Sequence, residues 1–113
     1  MRCRSGTFLR DGSASEKAFS QQVVDFARLN NWMVYRTWNS VHSPSGFPDL
    51  TMVRDGRLIF AELKAERGKL SDDQAQWIQE LRMCVPVYLW RPSDWEQIVE
   101  IVGEGRVLTD ASH

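Results

Sequence analysis

Cysteine is scarce in this chain of 113 residues. Cys3 and Cys84 are its two, too few for a disulfide framework and too far apart for a CxxC metal spacing. No apolar run approaches the roughly 20 residues of a membrane span, and the N-terminus lacks the apolar core of a signal peptide, so a cytoplasmic setting is expected. A basic excess is missing as well. Fourteen Lys and Arg against fifteen Asp and Glu leave a net charge of −1, which weighs against a nucleic-acid binder held by charge alone. There is no internal repeat, low-complexity tract or dividing linker. What is present, 42% hydrophobic and 26% charged residues, is the composition of an ordinary globular domain, long enough for one core without staples.

The pattern of the chain predicts its elements. Residues 1–12 show no periodicity and read as a flexible N-terminal arm, residues 13–109 as a single domain, and residues 110–113 as a tail. Ser13 and Glu16 have the spacing of a capping box. Phe19, Val23, Phe26 and Ala27 then form a helical stripe that Asn30-Asn31 would stop. "WMVYRTW", Trp32 to Trp38, is rich in aromatic and β-branched residues and predicts a strand. "NSVHSPSG" predicts a loop. "FPDLTMV" and "RLIFAELK" predict two strands around an Asp55-Gly56 turn. Ser71 and Gln74 make a second capping box, opening a helix with Trp77, Ile78 and Leu81 on one face. "VPVYLW" predicts a strand whose Pro86 suits an edge. "SDWEQIVEIVG" predicts a third capped helix with Trp95, Ile98, Val99 and Val102 as its stripe, and "RVLT" either adds a short strand or frays. The order αβββαβα implies an α/β fold, a mixed sheet flanked by helices.

The hairpin raises a chemical question. A two-residue Asp-Gly turn places Arg54 opposite Arg57, Val53 opposite Leu58, Thr51 opposite Phe60, and Asp49 opposite Glu62. Lys64 shares the acids' face, while Leu50, Met52, Ile59, Ala61 and Leu63 form a core face. Carboxylates directly opposite would have Cβ atoms about 4.5–5.5 Å apart and repel. Acidic residues at strand ends are common, so the pair has a purely structural explanation. It also has two chemical ones: a shared proton that raises one pKa, or a divalent cation of the Mg²⁺ or Mn²⁺ type, which takes one or two carboxylates and leaves room for water and phosphate. Glu16 and Gln74 each occupy the third position of a capping box. Each also extends the buried stripe of its helix, from which it would reach the acidic edge.

Asp49 in "FPDL" with Glu62 and Lys64 in "AELK" resembles the PD-(D/E)XK nuclease signature. An early helical glutamate, "GFPDL" after a loop, "ELK" closing the second hairpin strand and "GKLSDDQ" leading into a helix resemble its VRR-NUC branch, the virus-type replication-repair nucleases, over about residues 13 to 102. The resemblance implies a restriction-endonuclease-like core and a metal-dependent DNA nuclease. Asp49, Glu62 and the backbone carbonyl of Leu63 would hold Mg²⁺ or Mn²⁺. Lys64 would position the attacking water, Glu16 would contribute directly or through water, and Gln74 would orient a neighbour. A bound cation would cancel part of the acidic count and soften the objection from net charge. Arg36, Arg67, Lys69 and Arg10 are the candidate DNA contacts; each also has the plain explanation of a solvated surface charge. One departure is local: a glycine is expected before the fourth strand, where the sequence reads "RMCVPVYLW". So small a domain has little surface for reading base sequence, which favours structure-selective cleavage of branched or Holliday-junction DNA in replication, repair or recombination. The resemblance also implies a homodimer, and five Trp and five Phe exceed what one small core hides. A stand-alone nuclease of this kind would suit a phage and its bacterial host's cytoplasm. The rival is a non-catalytic nucleic-acid-binding or protein-interaction module retaining the fold.

Overall fold

The computed structural model describes residues 15–38 and 42–103. The expected arm and tail, the Ser13 cap, Arg10 and the "RVLT" segment lie outside them. The first helix, α1, spans Ser15–Leu29. Phe19, Val23, Val24 and Ala27 are its buried face, with Phe26 half-buried beside them. It stops where expected: Asn31 takes a left-handed conformation at φ 70°, and the Asn30 Nδ2 donates to the Phe26 carbonyl at 2.9 Å.

Four strands follow: β1 (Met33–Arg36), β2 (Leu50–Arg54), β3 (Arg57–Leu63) and β4 (Val87–Trp90). They lie in the order β1-β2-β3-β4, antiparallel except for the parallel β3–β4 pair. Asp55 and Gly56 both have positive φ, 50° and 81°, as a type I′ turn demands. The register is the expected one, Arg54 opposite Arg57 through Leu50 opposite Ala61. The strands are shorter than their sequence patterns, β3 by Lys64 alone and β4 by Val85 and Pro86. β1 omits Trp32, which turns into the core and donates its Nε1–H to the Val102 carbonyl at 2.8 Å. β2 omits Phe47 to Asp49, because Pro48 interrupts the ladder. Pro86 precedes β4 at the sheet edge, and its carbonyl accepts the Phe60 N–H at 3.1 Å.

Alternation sorts the side chains onto two faces. Leu50, Met52, Ile59, Ala61 and Leu63 form one core with α1, Trp90, Ile98 and Val102. Each large aliphatic side chain so buried contributes about 1.5–3 kcal/mol. On the opposite face Phe60 and Val87 pack with Ile78 of α2 (Asp72–Arg82), bordered by Phe47, Leu70, Leu81 and Val85. Ser71 and Gln74 form the full reciprocal capping box at the start of α2. This helix covers the β3–β4 half of its face. Over β1 and β2 that face is bare, with Met33, Tyr35, Val53 and Leu58 exposed.

The last helical region departs from an ideal helix opening at Ser93. Pro92 starts a 3₁₀ turn (Pro92–Asp94), and Asp94, not Ser93, supplies the cap, accepting the Arg91 N–H at 2.9 Å. A short α3 (Trp95–Ile98) widens into a π-helical turn, Val99–Gly103. Ile98 and Val102 stay buried, as the stripe requires. Arg54, a charged residue beside the turn, shares the face of Leu50 and Met52 and is buried. Its Nη1 donates at 3.0 Å to both Asn30 and Val102 carbonyls, and its guanidinium lies 4.7 Å from the Trp32 ring centroid. One cation thus serves the C-terminal ends of two helices, where backbone carbonyls gather negative charge.

Candidate active site

The site forms where β2 and β3 part. One step past Leu50 opposite Ala61, the register brings Asp49 to Glu62; one step further it would set Pro48 against Leu63. That last pair cannot close, because proline has no N–H to give the Leu63 carbonyl. The Pro48 carbonyl accepts the Thr37 hydroxyl instead, at 2.6 Å. The Leu63 N–H goes to the Asp49 Oδ2 at 2.9 Å. A side-chain carboxylate therefore replaces a ladder acceptor, and the Leu63 carbonyl is left facing the gap without a ladder donor. Thr37, just past β1, fixes Asp49 from the other side: its N–H donates to the Asp49 carbonyl at 2.9 Å.

The loop that delivers Asp49 is docked on α2. Gly46 has φ +101°, and a Cβ there would lie 2.7 Å from the backbone of Asp73. Only glycine permits both the conformation and the approach. The Ser45 hydroxyl donates to the Asp73 carboxylate, and Phe47 wedges edge-on against Phe60 and Trp77, with centroids 5.5 and 5.1 Å away.

Glu62 is 1% exposed, and its Oε1 has no hydrogen-bond partner. Burial, followed by the charge of Asp49, pushes its carboxyl up to about 8, against the pull of Lys64. Burial also raises Asp49, opposed by the Leu63 N–H and then by Lys64. A buried acid pair that resists ionising, with one oxygen unsatisfied and a lysine beside it, has the character of a cation site awaiting charge. Two carboxylates and a carbonyl are hard oxygen donors suited to Mg²⁺ or Mn²⁺. Among the described residues no group of three or more His, Cys, Asp or Glu side chains is placed to hold a metal, so water and substrate would complete the sphere.

Two cavities open onto Asp49, and the second also onto Glu62. One, of about 340 Å³, is bordered by Glu16, Lys17, Ser20, Arg36, Thr37 and Asp49. The other, of about 620 Å³, has Glu16, Asp49, Glu62 and Gln74 among its walls, together with Tyr35, Trp38, Phe47 and Trp77. Glu16 of α1 and Gln74 of α2 thus meet the same space. Glu16 is exposed, and the Gln74 Oε1 is engaged by the Ser71 N–H at 2.9 Å. Arg36 is near enough to lower the pKa of Asp49, and its guanidinium donates to Gln21 and Ser20. Arg67 and Lys69 are exposed on the loop after β3. That loop is held by Arg91, whose Nη1 donates to the carbonyls of Ala65 and Gly68 at 2.9 and 2.6 Å. The pattern of the chain did not single out Lys17, Thr37 or Arg91. Only Lys17, beside Glu16 in the first turn, carried a positional signal.

A mixed four-stranded sheet between helices, opened at one end around two acids, is the architecture of a nuclease domain. The chain belongs to the VRR-NUC domain family, whose sequence profile matches residues 9–94. A solved structure of a VRR-NUC domain shares the fold, with a TM-score of 0.65 at 19% identity over 80% of this chain and 96% of that one. No curated protein matches the sequence significantly.

Proposed function

We propose that this nuclease domain is a Mg²⁺- or Mn²⁺-dependent DNA endonuclease of the PD-(D/E)XK type, acting on branched or junction DNA. The observation that carries the proposal is the buried Glu62, its Oε1 unsatisfied, facing Asp49 beside Lys64. Asp49, Glu62 and the Leu63 carbonyl would hold the cation, which when bound supplies a polarised phosphoryl oxygen and a water of lowered pKa. Lys64 orients the attacking water and offsets charge that develops on the phosphoryl oxygens. Asp49 is itself kept in place by the Leu63 and Thr37 N–H groups. Glu16 reaches the same cavity from α1 and can accept a proton or a hydrogen bond from water there. Gln74, its oxygen tied to the α2 cap, braces the opposite wall. Lys17 and Arg36 offer positive charge to the DNA backbone at one side of the cleft, and Arg67 and Lys69, exposed on the loop after β3, are further candidate contacts.

A non-catalytic binding module has less support, since acids near phosphate weaken binding unless a cation bridges them. The bare apolar row of Met33, Val53 and Leu58 would suit a second copy of the chain, which light scattering would reveal as a dimer. The central test incubates the protein with four-way junction, flap and linear duplex DNA in Mg²⁺, Mn²⁺ or EDTA. Cleavage is expected with either metal, preferentially of branched substrates, and none in EDTA. Asp49→Asn and Lys64→Ala should abolish it with the fold intact. A wild type that cuts nothing, or an Asp49→Asn variant that cuts equally well, overturns the proposal.

A further inference from the structure

Most aromatic side chains of this small domain have ring or cation partners. Phe47, Phe60 and Trp77 interlock, Phe26 packs on Trp95, Tyr88 stacks on Trp90, and Trp32 lies under two guanidinium groups. Tyr35 and Trp38 do not. They are 65% and 83% exposed, and neither makes a ring contact among the described residues. Both border the cavity that contains Asp49 and Glu62. Their placement is fixed by the sheet. Tyr35 pairs with Thr51, one row from the acids, and Trp38 follows Thr37, whose N–H binds the Asp49 carbonyl. Two residues along an extended strand span about 7 Å, so Tyr35 sits about that far along the chain from the residue that anchors Asp49.

We infer that Trp38 and Tyr35 form a stacking wall for an unpaired base next to the phosphate being cut. This assignment rests on the nuclease proposal above. The floor of the cavity carries Asp49 and Glu62, and the adjoining cavity, sharing Glu16, Thr37 and Asp49, carries Lys17 and Arg36. An occupant that brings a phosphate to that floor and a flat apolar face to that wall is a nucleotide with its base unstacked. In an intact duplex the base faces are covered by their neighbours, so a continuous duplex cannot use the wall. A flap, a fork or a junction arm with an unpaired nucleotide can. Each base stacked on an aromatic side chain contributes enough that its removal weakens binding about 5- to 150-fold. The wall thus sets specificity for structure over sequence, because every base has a stacking face.

The test compares two DNAs of equal length, one a continuous duplex and one carrying a short unpaired stretch. Affinity is measured by fluorescence anisotropy in Ca²⁺, and cleavage separately in Mg²⁺. Trp38→Ala should lower the ratio of unpaired to duplex affinity by about 5- to 150-fold, and Trp38→Phe should restore most of it. Tyr35→Ala should lower the same ratio less. Trp38 is so exposed that its replacement should leave the melting temperature unchanged, which excludes misfolding as the cause. An unchanged ratio in both alanine variants overturns the stacking wall even if the wild type cleaves DNA. A lowered ratio in a wild type background that cleaves no DNA supports the wall and removes the nuclease proposal instead.

Discussion

Glu62→Gln is the substitution whose outcome the site geometry determines most directly. Glutamine matches the shape of the protonated acid and cannot ionise. Glu62 titrates near 8 in the folded protein against an ordinary 4.5. Below pH 4.5 the carboxyl is protonated in both folded and unfolded chains. Between 4.5 and about 8 the unfolded chain releases the proton while the folded one keeps it, so stability must fall as pH rises through that window. Above the folded value it levels off. At about 1.4 kcal/mol per pH unit, the full window corresponds to ~5 kcal/mol. Asp49 shares the titration, so the part that falls to Glu62 is smaller, on the order of 2–3 kcal/mol. In EDTA, urea unfolding followed by tryptophan fluorescence should find Glu62→Gln more stable than wild type by that amount at pH 8.5. The advantage should shrink or vanish at pH 5. Mg²⁺ at pH 8.5 should restore stability to the wild type and much less to the variant, since ligand binding to the folded state alone raises its stability. Because the carboxylates outside the site are common to both proteins, the difference reports the Asp49–Glu62 pair. A difference that is the same at both pH values would refute the reasoning.

Three further outcomes follow from named contacts. Asp49→Ala should lose about 1–3 kcal/mol in urea unfolding because it strands the Leu63 N–H, while Asp49→Asn keeps an acceptor and most of the stability; both should lack cleavage. Gly46→Ala forces a Cβ into the Asp73 backbone at positive φ, and should cost about 1–3 kcal/mol and reduce cleavage together, read by melting temperature and initial rate. Arg54→Ala removes the donor to the Asn30 and Val102 carbonyls and its packing on Trp32, and should cost about 3 kcal/mol in urea unfolding while leaving DNA affinity unchanged.

The central hairpin was legible because two independent local codes agree there. The Asp-Gly turn fixes the register, and period-2 alternation then decides which residues face each other, so Asp49 and Glu62 could be paired on paper. Glu16 and Gln74 were legible in position, since helical periodicity sets their face, and ambiguous in role, since the same spacing serves a cap. The Gln74 oxygen is in fact bound by the Ser71 N–H. Other features were not legible, because they depend on contacts between distant segments. Arg54 flanks a turn in sequence, and only the convergence of two helix ends makes it a buried donor. Thr37 is unremarked in sequence and acts through Asp49 and Pro48, eleven or twelve residues on. The 3₁₀ turn follows locally from Pro92, but the widening to a π-helical turn at Val99–Gly103 has no signal in the pattern of the chain.

The hydrogen bond from the Leu63 N–H to the Asp49 carboxylate makes one backbone proton a gauge of the site's charge. A full carboxylate draws that proton further downfield than a neutral or metal-bound one. Its amide resonance should therefore move when Asp49 changes protonation or takes a cation, while the Cys84 amide, bonded to the Leu81 carbonyl at the far end of α2, stays nearly still. Two crosspeaks of one ¹⁵N spectrum would then report occupancy and its reference together, with no substrate and no label beyond nitrogen.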